Sequence, residues 1–170
     1  NNMVGRARTL QLFGLPNCET HAVTGEAFFV LEPGGTLGIG SRWGITQNPV
    51  DWHGNIIVNG LRTYSQHANY IYDDAGSIDS SYTGDGLPGT VNSLTINKPD
   101  GIYLTNSCTI DSILTLDQGV MCTSTDTLAV ASDLPVNRSS GHVYGNLSLH
   151  VAAGAAAREF PVGDTAGYSP

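Results

Sequence analysis

Basic charge is what this chain most lacks. Seven lysines and arginines stand against fifteen acids, for a formal net charge of −8, and charged residues make up only 13% of the 170 positions. So few cations supply neither the phosphate contacts on which nucleic-acid affinity rests nor a basic patch for an anionic bilayer. Long apolar runs are missing too. Nothing approaches the ~20 residues a membrane helix needs, so no membrane insertion is expected. Helical patterning is equally scarce: the one alanine-rich run, Ala152 to Ala157, is broken by Gly154. Neither the three cysteines (Cys18, Cys108, Cys122) nor the five histidines (His21, His53, His67, His142, His150) have metal-ligand spacing. No metal and no other cofactor is expected. The opening Asn1-Asn2-Met3 carries no basic or apolar leader, which predicts a mature fragment without a signal peptide.

What the chain does have is glycine, 21 residues of it, and a repeat. Leu94-Thr95-Ile96-Asn97 returns 20 positions later as Leu114-Thr115-Leu116-Asp117, and Cys108-Thr109-Ile110 returns 20 positions later as Leu128-Ala129-Val130. Between them, Gly101-Ile102-Tyr103-Leu104 returns after 18 positions as Gly119-Val120-Met121-Cys122. Three short segments per period, each alternating apolar and polar residues, describe a coil that stacks on itself. The fold class expected is all-β: a right-handed parallel β-solenoid with three short strands per rung of 19–20 residues, followed by extra C-terminal strands.

One parity supplies the expected interior: Leu94/Ile96, Ile102/Leu104, Cys108/Ile110, Leu114/Leu116, Val120/Cys122 and Leu128/Val130. The other, rich in Thr and Asp, suits a wall facing water. Glycine, Asn and Asp at the corners provide positive φ and side-chain turn bonds. No rung buries its own apolar face, so stacking is the source of stability, at about 25 cal/mol per Å² of apolar surface covered. Toward the amino end, Leu37/Ile39 is matched to Ile56/Val58 at a step of 19, and Tyr70/Tyr72 to Cys108/Ile110 at 38, for roughly five rungs in all. The solenoid is assigned to residues 1–132, with irregular first rungs over 1–32. Residues 133–170 are assigned to a C-terminal strand segment, either the start of a β-sandwich or an exchanged tail.

Several stretches resemble the repeat units of large secreted surface proteins exported by the type IX pathway. They are Gly38-Ile39-Gly40-Ser41 with Gly44-Ile45-Thr46, Gly54 to Gly60 with Arg62-Thr63-Tyr64, Ala68 to Tyr72, Gly84 to Asn97, and the tail from Gly154 to Tyr168 with Phe160-Pro161-Val162-Gly163. The likeness covers about residues 34–170; the first 32 depart from it. It implies a β-solenoid region of an extracellular or cell-surface protein, usually longer than this chain and without assigned chemistry.

Few residues invite catalysis. Asp73-Asp74 is the best acid pair, since β-helix polysaccharide hydrolases use paired carboxylates, but it reads equally as a turn after Tyr70-Ile71-Tyr72. Gly141-His142 would be a second element. Asp79, Asp85 and Asp100 are scattered over corners, Arg62 and Lys98 are isolated, and no Gly-x-Ser-x-Gly elbow marks a nucleophile. Trp43 and Trp52, with Asp73 and Asp74, form the runner-up carbohydrate site, with Tyr64 as a further aromatic. Outward Thr95/Thr115 and Thr105/Thr123 ladders favour wall stabilisation over ice binding. Cys108 and Cys122 share a corner in this scheme, as a disulfide or as two buried thiols.

The expected role is therefore non-enzymatic. The chain reads as an extracellular structural module of a surface fibre, filament or adhesin, assembled through solenoid ends or tail strands. Val143, Leu147, Leu149, Val151, Phe160 and Val162 are the candidate assembly residues. The expected partners are copies of itself or further repeats of a longer chain, and surface glycans. The alternative is a polysaccharide-binding or polysaccharide-cleaving β-helix module.

Overall fold

The computed structural model describes residues 9–12 (backbone only), 22–73, 80–154, 157–165 and 167–169. Among them the chain is all strand and turn, without helix. The strands are β1 (Thr9–Leu12), β2 (Val23–Gly25), β3 (Phe28–Leu31), β4 (Thr36–Ile39), β5 (Ile56–Val58), β6 (Arg62–Tyr64), β7 (Asn69–Asp73), β8 (Ser81–Tyr82), β9 (Thr90–Asn97), β10 (Ile102–Tyr103), β11 (Cys108–Gln118), β12 (Val120–Val130), β13 (Asn137–Arg138) and β14 (His142–Leu149). Every ladder between these strands is parallel. They form a β-solenoid of about three turns with additional strands at the C-terminal end.

One file of core residues explains why the coil holds. Leu37, Tyr70, Leu94 and Leu114 are register partners on β4, β7, β9 and β11, and Ile39, Tyr72, Ile96 and Leu116 repeat this two positions on. All eight are fully buried. Side chains of alternate residues share a face, so each strand sends two apolar groups inward and its hydrogen-bonding edges up and down the axis. The hydroxyls of Tyr70 and Tyr72 are both paired. Their O–H groups donate to the carbonyls of Ser65 at 2.7 Å and Thr83 at 2.8 Å.

The repeat of 20 between Leu94 and Leu114, and between Cys108 and Leu128, is the register of the structure. Three other expectations need correction. First, the amino-terminal laps are longer. Leu37 lies beside Tyr70, not Ile56, and Tyr70 lies beside Leu94, not Cys108. Ile56 and Val58 pair instead with Val23 and Gly25. Bonds between neighbouring laps span 33 residues early on (Asn69 to Thr36), then 24 (Ser93 to Asn69), then 20 (Thr127 to Ser107). The surplus leaves the wall as a loop after β4, which a fixed-period match cannot follow.

Second, the parity of one segment is reversed. Ile102 pairs with Met121 and Tyr103 with Cys122, so Met121 and Thr123 are buried while Val120 and Cys122 are only half-buried, on the outer side. A one-residue slip moves every side chain to the opposite face. The extra residue enters just before the corner, where the β9–β11 ladder shifts register between Leu116 and Gln118, and at the corner itself Gly119 has φ +82° with room for no Cβ beside the Lys98 carbonyl oxygen. Buried Thr123 is satisfied, its Oγ1 accepting the Asn146 N–H at 2.6 Å.

Third, the disulfide is not formed. Cys108 and Cys122 are free thiols; Cys108 faces the core and Cys122 the outside, as that slip requires.

Past Ser132 the ladder goes on. β13 pairs with β11 and β14 with β12, both parallel, and Val162 bridges to Val143.

Candidate functional site

Outward positions on one wall line up into an aromatic file. Ser81 and Thr83 point in, so Tyr82 points out; Ile102 and Leu104 point in, so Tyr103 points out. In register beyond them come Cys122 and Tyr144. Trp43 extends the file at the other end. Its ring is parallel to that of Tyr82 within 7°, with centroids 6.1 Å apart, and Tyr82 stacks on Tyr103 at 5.5 Å. The Arg42 guanidinium lies 5.1 Å from the Trp43 centroid and the edge of His53 meets that ring at 5.1 Å. Offset stacking and cation–π contacts of this kind stabilise the wall by about 0.5–1.5 kcal/mol each.

The loop after β4, residues 44–55, folds back beside the file, and buried groups set its path. Arg62, which the sequence shows only as an isolated charge, is buried and spreads its guanidinium over four carbonyls. Nη1 donates to Thr46 at 3.4 Å, and Nη2 to Asp51 at 3.1 Å, Val58 at 3.2 Å and, at the limit, Pro49 at 3.5 Å. The Tyr64 hydroxyl adds a bond to the Thr46 carbonyl at 3.2 Å, and Asn55 Oδ1 accepts the Ser41 N–H at 2.8 Å. Ile45 is fully buried and joined by backbone hydrogen bonds to Thr83 and Gly86. Gly84, with φ +79°, permits that approach, since a Cβ there would lie 2.1 Å from the Ile45 oxygen.

Between loop and file lies a cleft of about 370 Å³, walled by Trp43, Tyr82 and His53 and edged by Asp51, Asp85 and Thr105. Asp51 Oδ1 accepts both the N–H of His53 at 3.0 Å and its Nδ1 at 2.7 Å. The side-chain hydrogen bond from His53, then its backbone bond, hold this carboxyl below its ordinary value of 3.8. Asp85 Oδ1 accepts the Gln47 N–H at 3.3 Å.

A second cavity, of about 410 Å³, lies at the C-terminal end against Val136, Val151, Pro161, Arg138 and Arg158. Its cations are already spent. Arg158 donates to the carbonyls of Ser132, His150 and Leu134, while Arg138 donates to Gly141 and stacks over Tyr168 at 3.6 Å.

The residues singled out in the sequence are dispersed. Asp73 ends β7, where its Oδ1 accepts Asn97 Nδ2 at 3.1 Å as a rung of a polar ladder, and it does not line the cleft with Trp43. Asp74 and Asp79 lie outside the described residues. Trp52 projects from the loop, 66% exposed. His142 is buried, its Nε2 meeting the Asp164 carbonyl at 2.8 Å. Lys98 is buried too, Nζ donating to the Gly40 carbonyl at 2.9 Å. Val143, Leu147 and Leu149 pack into the last lap of this chain, whereas Val151 and Phe160 are exposed. Tyr103 is outward, as the alternation of its segment predicts, while Tyr82 and Tyr144 are not marked by the sequence repeat. Their signal is an aromatic at the outward position of three of four successive rungs, with Cys122 between Tyr103 and Tyr144, and placing Val120/Cys122 inward breaks that alignment.

Among the described residues no group of three or more His, Cys, Asp or Glu side chains could hold a metal ion, and no helix is long and apolar enough to cross a membrane. Comparison with protein-family models, with curated proteins and with solved structures finds no match to this chain.

Proposed function

We propose that this chain is a non-enzymatic structural module of an extracellular or cell-surface assembly, joined to its neighbours through the ends of the coil. The supporting observation is the state of those ends. Among the described residues β4 pairs only with β7, and β14 has β12 on one side and a single bridge, from Val143 to Val162, on the other. Open strand edges template the addition of more strands unless charge, proline or a cap blocks them. The C-terminal end adds exposed apolar surface at Leu134, Val151 and Phe160. The surface placement rests on the motif resemblance described above.

Exchange of the tail strands is the weaker route, because Val143 and Leu149 are core residues of their own chain. End-on stacking leaves that core intact. Sedimentation of the chain is accordingly expected to depend on concentration, with rods one coil wide in negative-stain images. Val151→Lys together with Phe160→Lys, two exposed sites, is expected to return the protein to monomer without lowering its melting temperature. A chain that stays monomeric at every concentration tested, with no elongated particles, would contradict the proposal.

A further inference from the structure

We propose that the cleft between the 44–55 loop and the aromatic file is a binding site for a neutral pyranose, presented as one or two rings of an oligosaccharide. Size and wall chemistry come first. At about 370 Å³ the cleft falls within the range of small-ligand sites, which combine an aromatic wall with a few placed polar groups. Trp43 and Tyr82 supply the wall, 47% and 41% exposed. Their centroids are 6.1 Å apart, wider than the ~4.8 Å between strands. Both rings line the cleft and keep exposed surface there, against which the C–H side of a sugar would pack.

The polar rim selects the ligand's charge. Among the described residues, hydrogen bonds engage only Oδ1 of Asp51 and Oδ1 of Asp85. The second oxygen of each carboxylate is left as an acceptor for hydroxyl donors. His53 holds Asp51 ionised, so the rim carries two negative charges that oppose a uronate or a sulfated sugar. A cationic ligand meets a different obstacle, since Arg42 already lies over Trp43. A neutral polyol with one apolar face satisfies every constraint. The loop that builds the cleft is an excursion from the wall, held by Arg62 and Ile45. This site is independent of end-on assembly.

Both tryptophans of the chain, Trp43 and Trp52, lie in this region. Intrinsic fluorescence therefore reports on it directly. Neutral hexasaccharides of glucose, mannose and N-acetylglucosamine, a hexauronate and choline would each be titrated into the full chain, followed by calorimetry. Saturable binding of at least one neutral hexasaccharide is expected, with no binding of hexauronate or choline. Asp85→Ala and Trp43→Ala are expected to weaken it at least about tenfold, while Tyr144→Ala, on the same file but away from the cleft, leaves it unchanged. Thermal melts identify any variant that fails to fold; exposed Asp85 then carries the test alone. No saturable neutral ligand, preference for the uronate or for choline, or equal loss in Tyr144→Ala would each overturn the assignment.

Discussion

Alanine in place of Leu114 is expected to lower stability by about 2–5 kcal/mol, the range for large-to-small changes at sites that cannot collapse. Leu114 is fully buried on β11, beside Leu94 on the neighbouring lap. In a stacked coil the lap spacing is set by backbone hydrogen bonds, so adjoining rungs cannot close over a missing side chain. The same substitution at Leu94, between Tyr70 and Leu114, is expected to cost as much. Thr115→Ala, one position along and facing outward, is expected to stay within about 0.5 kcal/mol. Urea titrations at unchanged m-value measure all three. A loss below about 1 kcal/mol at Leu114 would mean that the file is not close-packed.

Alkaline pH is expected to destabilise the coil from about pH 9 upward. Burial, then the neighbouring Asp111 carboxylate, pushes the Cys108 thiol from its ordinary 9.0 up to about 12. Burial foremost also raises the Tyr70 and Tyr72 phenols. In the unfolded chain these groups shed protons near their ordinary values, while the folded chain retains them. Stability from the thiol is therefore complete below pH 9 and is lost as pH rises from 9 toward 12. The loss runs at about 1.4 kcal/mol per pH unit and reaches at most about 4 kcal/mol. The tyrosines add to it above pH 10. Urea midpoints taken between neutral pH and pH 11 are expected to fall, and Cys108→Val is expected to move the onset upward by about a unit. A flat profile across that interval would show that these groups are accessible to water.

The sequence carries the central laps openly and the flanking ones poorly, for a physical reason. Between Leu94 and Val130 the corners are short and nearly equal, so chemistry repeats at the interval at which space repeats. Leu94 with Leu114, and Cys108 with Leu128, are visible at once. At Gly119 the corner absorbs one residue differently from Gly101, and a count anchored on the glycines puts Val120 inside where Met121 belongs. Before Leu94 the laps carry the 44–55 loop, and a period search then pairs Leu37 with the wrong partner. Arg62 and Lys98 mislead in another way. An isolated cation reads as a solvated one, and only the carbonyls that the fold brings to each, four at Arg62 and that of Gly40 at Lys98, show what they bond when buried. The cleft is half legible: Trp43 is conspicuous as a residue, but its partners Tyr82, Asp51 and Asp85 are joined to it only by the path of the loop.

The most direct test of the stacked laps is the backbone proton contact map of β9 and β11 in solution. Parallel in-register pairing requires Leu94 to meet Leu114 and Ile96 to meet Leu116, with Tyr70 and Tyr72 on the other side of the same two residues. Contacts crossed the other way, Leu94 to Leu116 and Ile96 to Leu114, would mean antiparallel strands, and the coil with its open ends and its aromatic file would have to be abandoned.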